Sequence, residues 1–365
     1  MVNKIRYKTK IAVIGAGQAG LSAAYHLKKQ GLEIGRDFII LDEAPGSGGA
    51  WQFRWPSLTL STVNRIHDLP GMSFAETLDS GDTNVQASIA VPKYYKLYEQ
   101  KFGLHVIRPL KVDNVYLHEE RFHIDAANAF FSAAGIINAT GTWENPYIPE
   151  YPGAALFQGE QLHTKDFKSA EYFKGKHVIV VGAGISAIQL LDQISKVTTT
   201  TWVTRRPPEF RTGPFDDMAG HNAVAMVEDR VRKGLPPVSV VSVTGLPLSP
   251  EVIAMKNRGV LERFPMFSEL TQTGVKWPDG REEKADVILW NTGFKGALHH
   301  LSPVLPREDS GGIIMAGRLA TMVAKEPRIH LPGYGPSAST IGANRAGAAA
   351  ARELIETLKI ESRSS

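Results

Sequence analysis

The sequence predicts an α/β fold with two parallel-sheet units. Three observations carry the prediction: two glycine-rich turns of the same form, a short apolar run before each, and a helical pattern after each. The chain has 365 residues and no cysteine. At roughly 150 residues per domain, this length corresponds to about two domains with ample core. Hydrophobic residues make up 43% and charged residues 21%, an ordinary balance for a globular protein. Without cysteine, redox dithiols, thiolate zinc sites, cysteine-ligated iron–sulfur clusters and thiolate haem are excluded.

The 41 Lys and Arg against 37 Asp and Glu give a net charge of +4, with no long basic run, so no nucleic-acid partner is expected. A mildly basic surface suits an anionic, phosphate-bearing cofactor. No stretch approaches the ~18 apolar residues of a membrane span. Lys4, Arg6, Lys8 and Lys10 precede an apolar segment as in a signal peptide, but Gly15, Gly17, Gln18 and Gly20 interrupt it. The expected location is the cytoplasm.

The first turn follows Lys10–Ile14, a β-rich run suited to a strand buried on both faces. Gly15-Ala16-Gly17-Gln18-Ala19-Gly20 is a G-x-G-x-x-G, and a helical pattern with Leu21, Ala24 and Leu27 on one side runs on to about Gln30. Gly31 is a suitable stop. A second apolar run, Phe38–Leu41, ends in Asp42, with Glu43 beside it. In a dinucleotide-binding Rossmann unit, Gly15 allows the tight turn, Gly17 lets backbone approach a pyrophosphate, and Gly20 lets helix and strand pack closely. The helix N-terminus offers free N–H groups to the phosphates. Asp42 is the expected acceptor for ribose hydroxyls, with Glu43 as the neighbouring candidate.

The second turn repeats the order. Lys176–Val181 leads into Gly182-Ala183-Gly184-Ile185-Ser186-Ala187, then a helix with Ile188, Leu190, Leu191 and Ile194. Ala187 replaces the third glycine, a position that affects only helix–strand packing. The next strand, Thr200–Thr204, ends in Arg205 and Arg206 rather than an acid. Two guanidinium groups match a ribose 2′-phosphate in charge and fork geometry, which selects NADPH over NADH. Two such units in one short chain point to a flavin, FAD, in the first and a nicotinamide in the second.

Elsewhere the pattern is weaker. Residues 92–103 read as a helix opening at Pro92, and residues 105–133 as a small antiparallel meander. Val112, inside it, joins the cofactor-binding set. Ala134–Ala139 runs into Thr140-Gly141, and Ala285–Trp290 into Asn291-Thr292-Gly293, two similar strand-to-glycine turns. Ile341, Ala346, Ala350, Leu354 and Leu358 mark a terminal helix over about 340–359, and residues 205–285 show no clear periodicity. The expected architecture is nested, with an FAD domain of residues 1–160 and 290–365 holding an NADPH domain of residues 165–285.

With these features together, the chain resembles the flavin-containing monooxygenases, most closely their compact bacterial members, over nearly its whole length. Three stretches carry the resemblance. Gly48-Gly49-Ala50-Trp51 is similar to the family's G-G-x-W. Phe157 to Phe167, with Gly159 and His163, fits its identifying F-x-G-x-x-x-H-x-x-x-F/Y. Gly182 to Ala187 fits its nicotinamide loop. The resemblance places Gly49, Ala50 and Trp51 beside the flavin and makes His163 a structural linker residue.

Two departures stand out. In larger members an asparagine after a threonine sits beside the flavin ring; here Ser61-Thr62-Val63-Asn64 puts Val63 at that place and Asn64 one residue on. Compact relatives carry an acid in the C-terminal loop, whereas Gly333-Tyr334-Gly335-Pro336-Ser337 has none. Thr62, Asn64 and His67 are the candidates for groups near the flavin.

The resemblance implies an NADPH-dependent, FAD-containing monooxygenase. NADPH reduces the flavin, O2 adds to form a peroxyflavin, and one oxygen passes to a small soft nucleophile, a sulfide or an amine. It also implies a homodimer. Other readings stay open. Baeyer–Villiger oxygenation of ketones uses the same cofactors, although its motif ends in tryptophan where Phe167 stands. A flavin or ferredoxin reductase, a peroxide-forming NADPH oxidase and a nucleotide-binding redox sensor need the same two sites. A thioredoxin-reductase type is excluded by the absence of cysteine.

Overall fold

The computed structural model describes residues 5–63, 66–78, 84–211, 217–238 and 245–361. Contacts divide the chain into two compact α/β units. One holds Met1–Glu144, Val224–Val238 and Gly296–Ser365, the other Asn145–Ala223 and Ser239–Lys295.

The first unit is built on a seven-stranded sheet. Its order is Met315–Ala316, Met322–Val323, Glu326–His330, Gly135–Asn138, Ile11–Ile14, Phe38–Leu41 and Val106–Ile107. From Glu326–His330 onward every pair is parallel, and the two strands at the other edge are antiparallel. Ile11–Ile14, Phe38–Leu41 and Gly135–Asn138 are buried at every position, which is why they read as continuous apolar runs rather than alternating ones. Helix Gln18–Lys29 follows the central strand and packs against the terminal helix Thr340–Thr357. At their crossing a Cβ on Gly347 would lie 2.6 Å from the Ala19 carbonyl oxygen and 2.8 Å from the Ala23 nitrogen, so only glycine permits this approach.

Two expectations are corrected here. The helix opening at Pro92 in fact spans Ala87–Phe102, with Pro92 inside it. An internal proline removes one helical donor, and this site tolerates it because tertiary packing dominates. Tyr94, Tyr95 and Tyr98 are fully buried. Tyr94 accepts from the Leu69 N–H (2.6 Å) and donates to the Met72 carbonyl (2.7 Å), while Tyr98 donates to the Pro70 carbonyl (2.8 Å).

The antiparallel meander is confined to Val112–His118, Arg121–Ala126 and Ala129–Ala133. The preceding Val106–Ile107 instead adds to the parallel sheet beside Phe38–Leu41. Ile5–Lys8 forms a further strand that pairs in parallel with Ala129–Ala133.

The second unit repeats the parallel arrangement with five strands, ordered Arg263–Pro265, Thr200–Thr204, Val178–Val181, Val287–Trp290 and Glu160–His163. Helix Ile185–Ile194 buries the expected Ile188, Leu190, Leu191 and Ile194. The unpatterned stretch 205–285 contains helices Asp217–Arg232 and Pro250–Asn257. It also holds a small antiparallel sheet of Glu269–Leu270, Gly274–Lys276 and Glu282–Lys284. Residues 224–238, which the sequence reading kept with 165–285, group with the first unit. There Val231 is part of the core, and the Ser310 hydroxyl donates to the Gly234 carbonyl at 2.6 Å.

Among the described residues, no helix is long and apolar enough to cross a membrane.

Candidate functional site

Each unit places a glycine turn at the C-terminal end of its central strand, between two neighbouring parallel strands. In the first, the Gly15 N–H donates to the Leu41 carbonyl and the Ala139 N–H to that of Ile14, both at 2.7 Å. In the second, the Gly182 N–H donates to Val203 (2.9 Å) and the Asn291 N–H to Val181 (2.7 Å). The Trp202 indole N–H adds a bond to the Gly182 carbonyl at 2.8 Å. Ligands of open α/β sheets bind in this position, outside the carboxyl ends of the strands.

The glycines fall into two kinds. A Cβ on Gly15 would meet the Ala139 carbonyl oxygen at 2.5 Å, one on Gly20 the Gly15 carbonyl oxygen at 1.9 Å, and one on Gly182 the Asn291 carbonyl oxygen at 2.4 Å. These are packing glycines. Gly17 and Gly184 are the opposite: nothing of the protein lies within 4 Å of an added Cβ, although both cap the N-termini of their helices. Gly141 and Gly293 are likewise open. Two helix N-termini, each with open space before its second glycine, fit two pyrophosphates. The third positions also match the reading, since Gly20 and Ala187 are both buried.

Around the first turn, the structure brings several predicted residues together. Gly49, in the 3-10 helix Gly49–Phe53 that includes Ala50 and Trp51, leans on Gly17, with an added Cβ 3.0 Å from the Gly17 Cα. Gln18 donates through Nε2 to the His67 carbonyl (3.2 Å) and to the Asn344 side chain (2.9 Å) and accepts from the Tyr95 hydroxyl. Its side chain is thereby spent on holding the first helix to the loop and to the terminal helix. What Gln18 and Ala19 can offer a ligand is backbone N–H. Thr62 closes a turn with Thr59, accepting from its N–H at 3.0 Å. Asn64 lies outside the described residues.

Asp42 is buried, whereas Glu43 beside it is exposed. Burial pushes the Asp42 carboxyl above its ordinary value, against the pull of Arg108 and of the Ala16 and Ala44 N–H groups. Arg108 reaches Asp42 through Nε at 3.2 Å, binds Glu99 with two nitrogens at 2.7 and 3.0 Å, and donates to Ser47 at 3.1 Å. Arg108 thus orients the carboxylate that the sequence assigns to a ribose. Val112 packs its side chain into the core of the first unit, so only its backbone is available to a ligand.

The strand-to-glycine turns are also braced. Thr140 accepts from Asn138 (2.9 Å) and donates to the Ala297 carbonyl (2.8 Å). His300 lies 2.7 Å from the Asn138 amide oxygen, and burial lowers its pKa to about 4, so it is neutral and donates there. In the second unit, Thr292 donates to the Tyr147 carbonyl. His163 is buried, with Nε2 2.9 Å from the Gly293 carbonyl and Nδ1 accepting from the Lys165 N–H at 3.2 Å. Both ring nitrogens are used within the fold, which fits the structural role read from the sequence.

Arg205 and Arg206 are exposed at the end of their strand. Ile185 and Ser186 open the helix beside them. Arg263 from the neighbouring strand donates to Thr204 at 2.8 Å, a third cation that the sequence reading did not single out. Asn344, Tyr95 and Arg108 were missed for the same reason: each acts from a distant part of the chain, and no local motif marks it. Among the described residues, no cluster of three or more His, Asp or Glu could hold a metal ion.

With this geometry established, the chain can be compared with known proteins. The family profile described as pyridine nucleotide-disulphide oxidoreductase matches residues 12–217. The solved flavin-containing monooxygenase from Stenotrophomonas maltophilia is 32% identical, with a TM-score of 0.79 over 96% of this chain and 99% of that one. The uncharacterized oxidoreductase CzcO of Bacillus velezensis is 26% identical over 78% of this chain and 81% of that protein. Senecionine N-oxygenase of Tyria jacobaeae is 26% identical over 52% of this chain and 45% of its own length.

Proposed function

We propose that this chain, which belongs to the flavin-containing monooxygenases within the pyridine nucleotide-disulphide oxidoreductase family, inserts one oxygen atom into a soft nucleophile, a thioether sulfur or an amine nitrogen. The observation that carries the reading is the pair of open glycine cradles, Gly17 and Gly184, each before a helix N-terminus at the end of a parallel sheet. The enzyme is an FAD- and NADPH-dependent oxidoreductase. When bound, these cofactors supply hydride transfer and activation of O2. The balance is one substrate, one O2, one NADPH and one proton giving oxygenated substrate, water and NADP⁺.

The residues divide this work. The N-terminus of helix Gln18–Lys29, before Gly17, takes the FAD pyrophosphate, and Asp42, held by Arg108, accepts from its ribose. The N-terminus of helix Ile185–Ile194, before Gly184, takes the nicotinamide pyrophosphate, and Arg205 and Arg206 take the 2′-phosphate. Thr140-Gly141 and Thr292-Gly293 let backbone approach the cofactors. Thr62 and His67 are the candidates for the flavin ring side, while the third, Asn64, lies outside the described residues. The family's disulfide-reducing chemistry has no counterpart in this chain, because there is no cysteine to carry it.

The test is oxygen incorporation. FAD-loaded protein turning over NADPH under 18O2 with methyl phenyl sulfide or a tertiary amine should yield singly labelled oxide. NADPH consumption with hydrogen peroxide as the sole oxygen product would refute the reading. Labelled ester from a ketone, with no sulfoxide or N-oxide, would replace the substrate class.

A further inference from the structure

We propose that Arg54 is the anion-receiving group of the substrate site and that the preferred substrates carry a carboxylate. The inference rests on the oxygenase reading for what happens to the substrate, but not for how it is recognised.

Arg54 terminates the 3-10 helix Gly49–Phe53 in extended conformation. Its guanidinium carbon lies 4.4 Å from the ring centre of Trp143, 5.9 Å from that of Trp51 and 6.0 Å from that of Trp55. Two of these indoles follow glycine-bearing segments of the first unit, Trp51 after Gly48-Gly49 and Trp143 after Gly141. The cation therefore sits between the Gly49–Phe53 segment, which leans on Gly17, and the segment that follows Thr140-Gly141.

It is also uncompensated. Among the described residues Arg54 makes no ion pair, and its Nε is buried without a hydrogen-bond partner. Burial alone lowers its pKa, to about 10, so it remains charged at neutral pH. Other inward-facing arginines of this unit are satisfied within the fold. Arg108 binds Glu99 and Asp42. Arg121 donates to the Ser132 side chain and to the Thr9 and Ser132 carbonyls. Arg328 pairs with Glu326.

A buried cation without a counter-ion is unfavourable, and cation–π contact offsets only part of that cost. An incoming carboxylate would complete it, because the planar guanidinium presents its donors as a fork that matches two carboxylate oxygens. The apolar indole faces add a preference for a flat, aromatic or apolar body next to the acid. A single fork among indoles suits a monoanion better than a phosphate dianion, which calls for more donors.

The test compares (phenylthio)acetate with 2-(phenylthio)acetamide, an isosteric neutral thioether. Dissociation constants are read from the indole fluorescence and flavin absorbance of FAD-loaded protein, without turnover. Wild type should bind the carboxylate about ten- to a hundredfold more tightly than the amide. Arg54→Met should bring the two within about twofold, and Arg54→Lys, which keeps the charge but not the fork, should retain an intermediate preference. Equal affinity of the two compounds for wild type overturns the proposal, a result that needs no variant to fold. Loss of FAD from Arg54→Met during purification also overturns it, by identifying the cofactor pyrophosphate as the anion served. If the binding preference holds but neither compound is oxygenated, the oxygenase reading fails and the anion site stands.

Discussion

The first glycine turn makes a prediction that separates packing from ligand binding within six residues. At Gly20 a Cβ would lie 1.9 Å from the Gly15 carbonyl oxygen and 2.9 Å from its carbon, backbone atoms that cannot swing away. Gly20→Ala should therefore cost about 3 kcal/mol or more of stability, even in flavin-free protein. At Gly17 nothing lies within 4 Å, and φ −80°, ψ −166° suits any L-residue. Two small effects oppose each other there. Alanine is a poorer helix N-cap than glycine, while its lower unfolded-state entropy favours the fold by about 0.4–1 kcal/mol. Flavin-free Gly17→Ala should thus stay within about 1 kcal/mol of wild type. The same methyl occupies the space before the helix N-terminus, where a pyrophosphate would take charge-assisted bonds worth about 1.5–3 kcal/mol, so FAD should bind ten- to a hundredfold more weakly. Thermal melts of flavin-free proteins and titration of FAD fluorescence measure the two effects separately. Wild-type FAD affinity in Gly17→Ala would refute the cradle assignment. So would a loss of flavin-free stability equal to that of Gly20→Ala.

Three further outcomes are expected. Replacing Arg205 and Arg206 together with Gln should erode kcat/KM for NADPH at least tenfold while leaving NADH use nearly unchanged, and equal losses with both cofactors would remove their assignment to the 2′-phosphate. Arg108→Met leaves Asp42 and Glu99 buried without their cation and should destabilise the protein by about 3–5 kcal/mol; adding Glu99→Gln should recover part of that loss in a double-mutant cycle, and strict additivity would show that Arg108 and Glu99 are not coupled. Burial holds His300 and His330 near pKa 4 in the fold, against an ordinary value of 6.5. Between those values the unfolded chain binds the protons that the native state refuses, so stability falls as pH drops from about 6.5 to 4, with a slope approaching ~1.4 kcal/mol per pH unit for each histidine. Chemical denaturation across that range checks the slope, and His330→Leu should reduce it by one histidine's share; an unchanged slope in that variant contradicts the assignment.

What could be read in the sequence follows from how local each signal is. The strands at Ile11–Ile14 and Val178–Val181, their glycine turns and the helices after them are set by contiguous residues, because burial on both faces leaves an unbroken apolar run. Strands of two residues, such as Val106–Ile107, carry no periodicity and exist only because a neighbouring strand offers its edge. Helix Asp217–Arg232 was illegible for another reason. Its exposed face carries apolar residues such as Val224 and Met226, which blur the amphipathic pattern. In the site, Gly15, Gly17 and Asp42 follow from a motif, whereas Arg108 and Arg54 act through partners that only folding assembles. Arg54 in particular carries no motif in the sequence, and its setting emerges only when Trp51, Trp55 and Trp143 are seen around it.

The most direct measurement of the central claim is stopped-flow absorbance. FAD-loaded protein is reduced anaerobically with NADPH and mixed with oxygenated buffer, with and without methyl phenyl sulfide. The account predicts a transient spectrum distinct from reduced and oxidised flavin, long-lived while NADP⁺ is bound, whose decay is accelerated by the sulfide in step with sulfoxide formation. Direct return to oxidised flavin with stoichiometric hydrogen peroxide, at a rate indifferent to the sulfide, would contradict it.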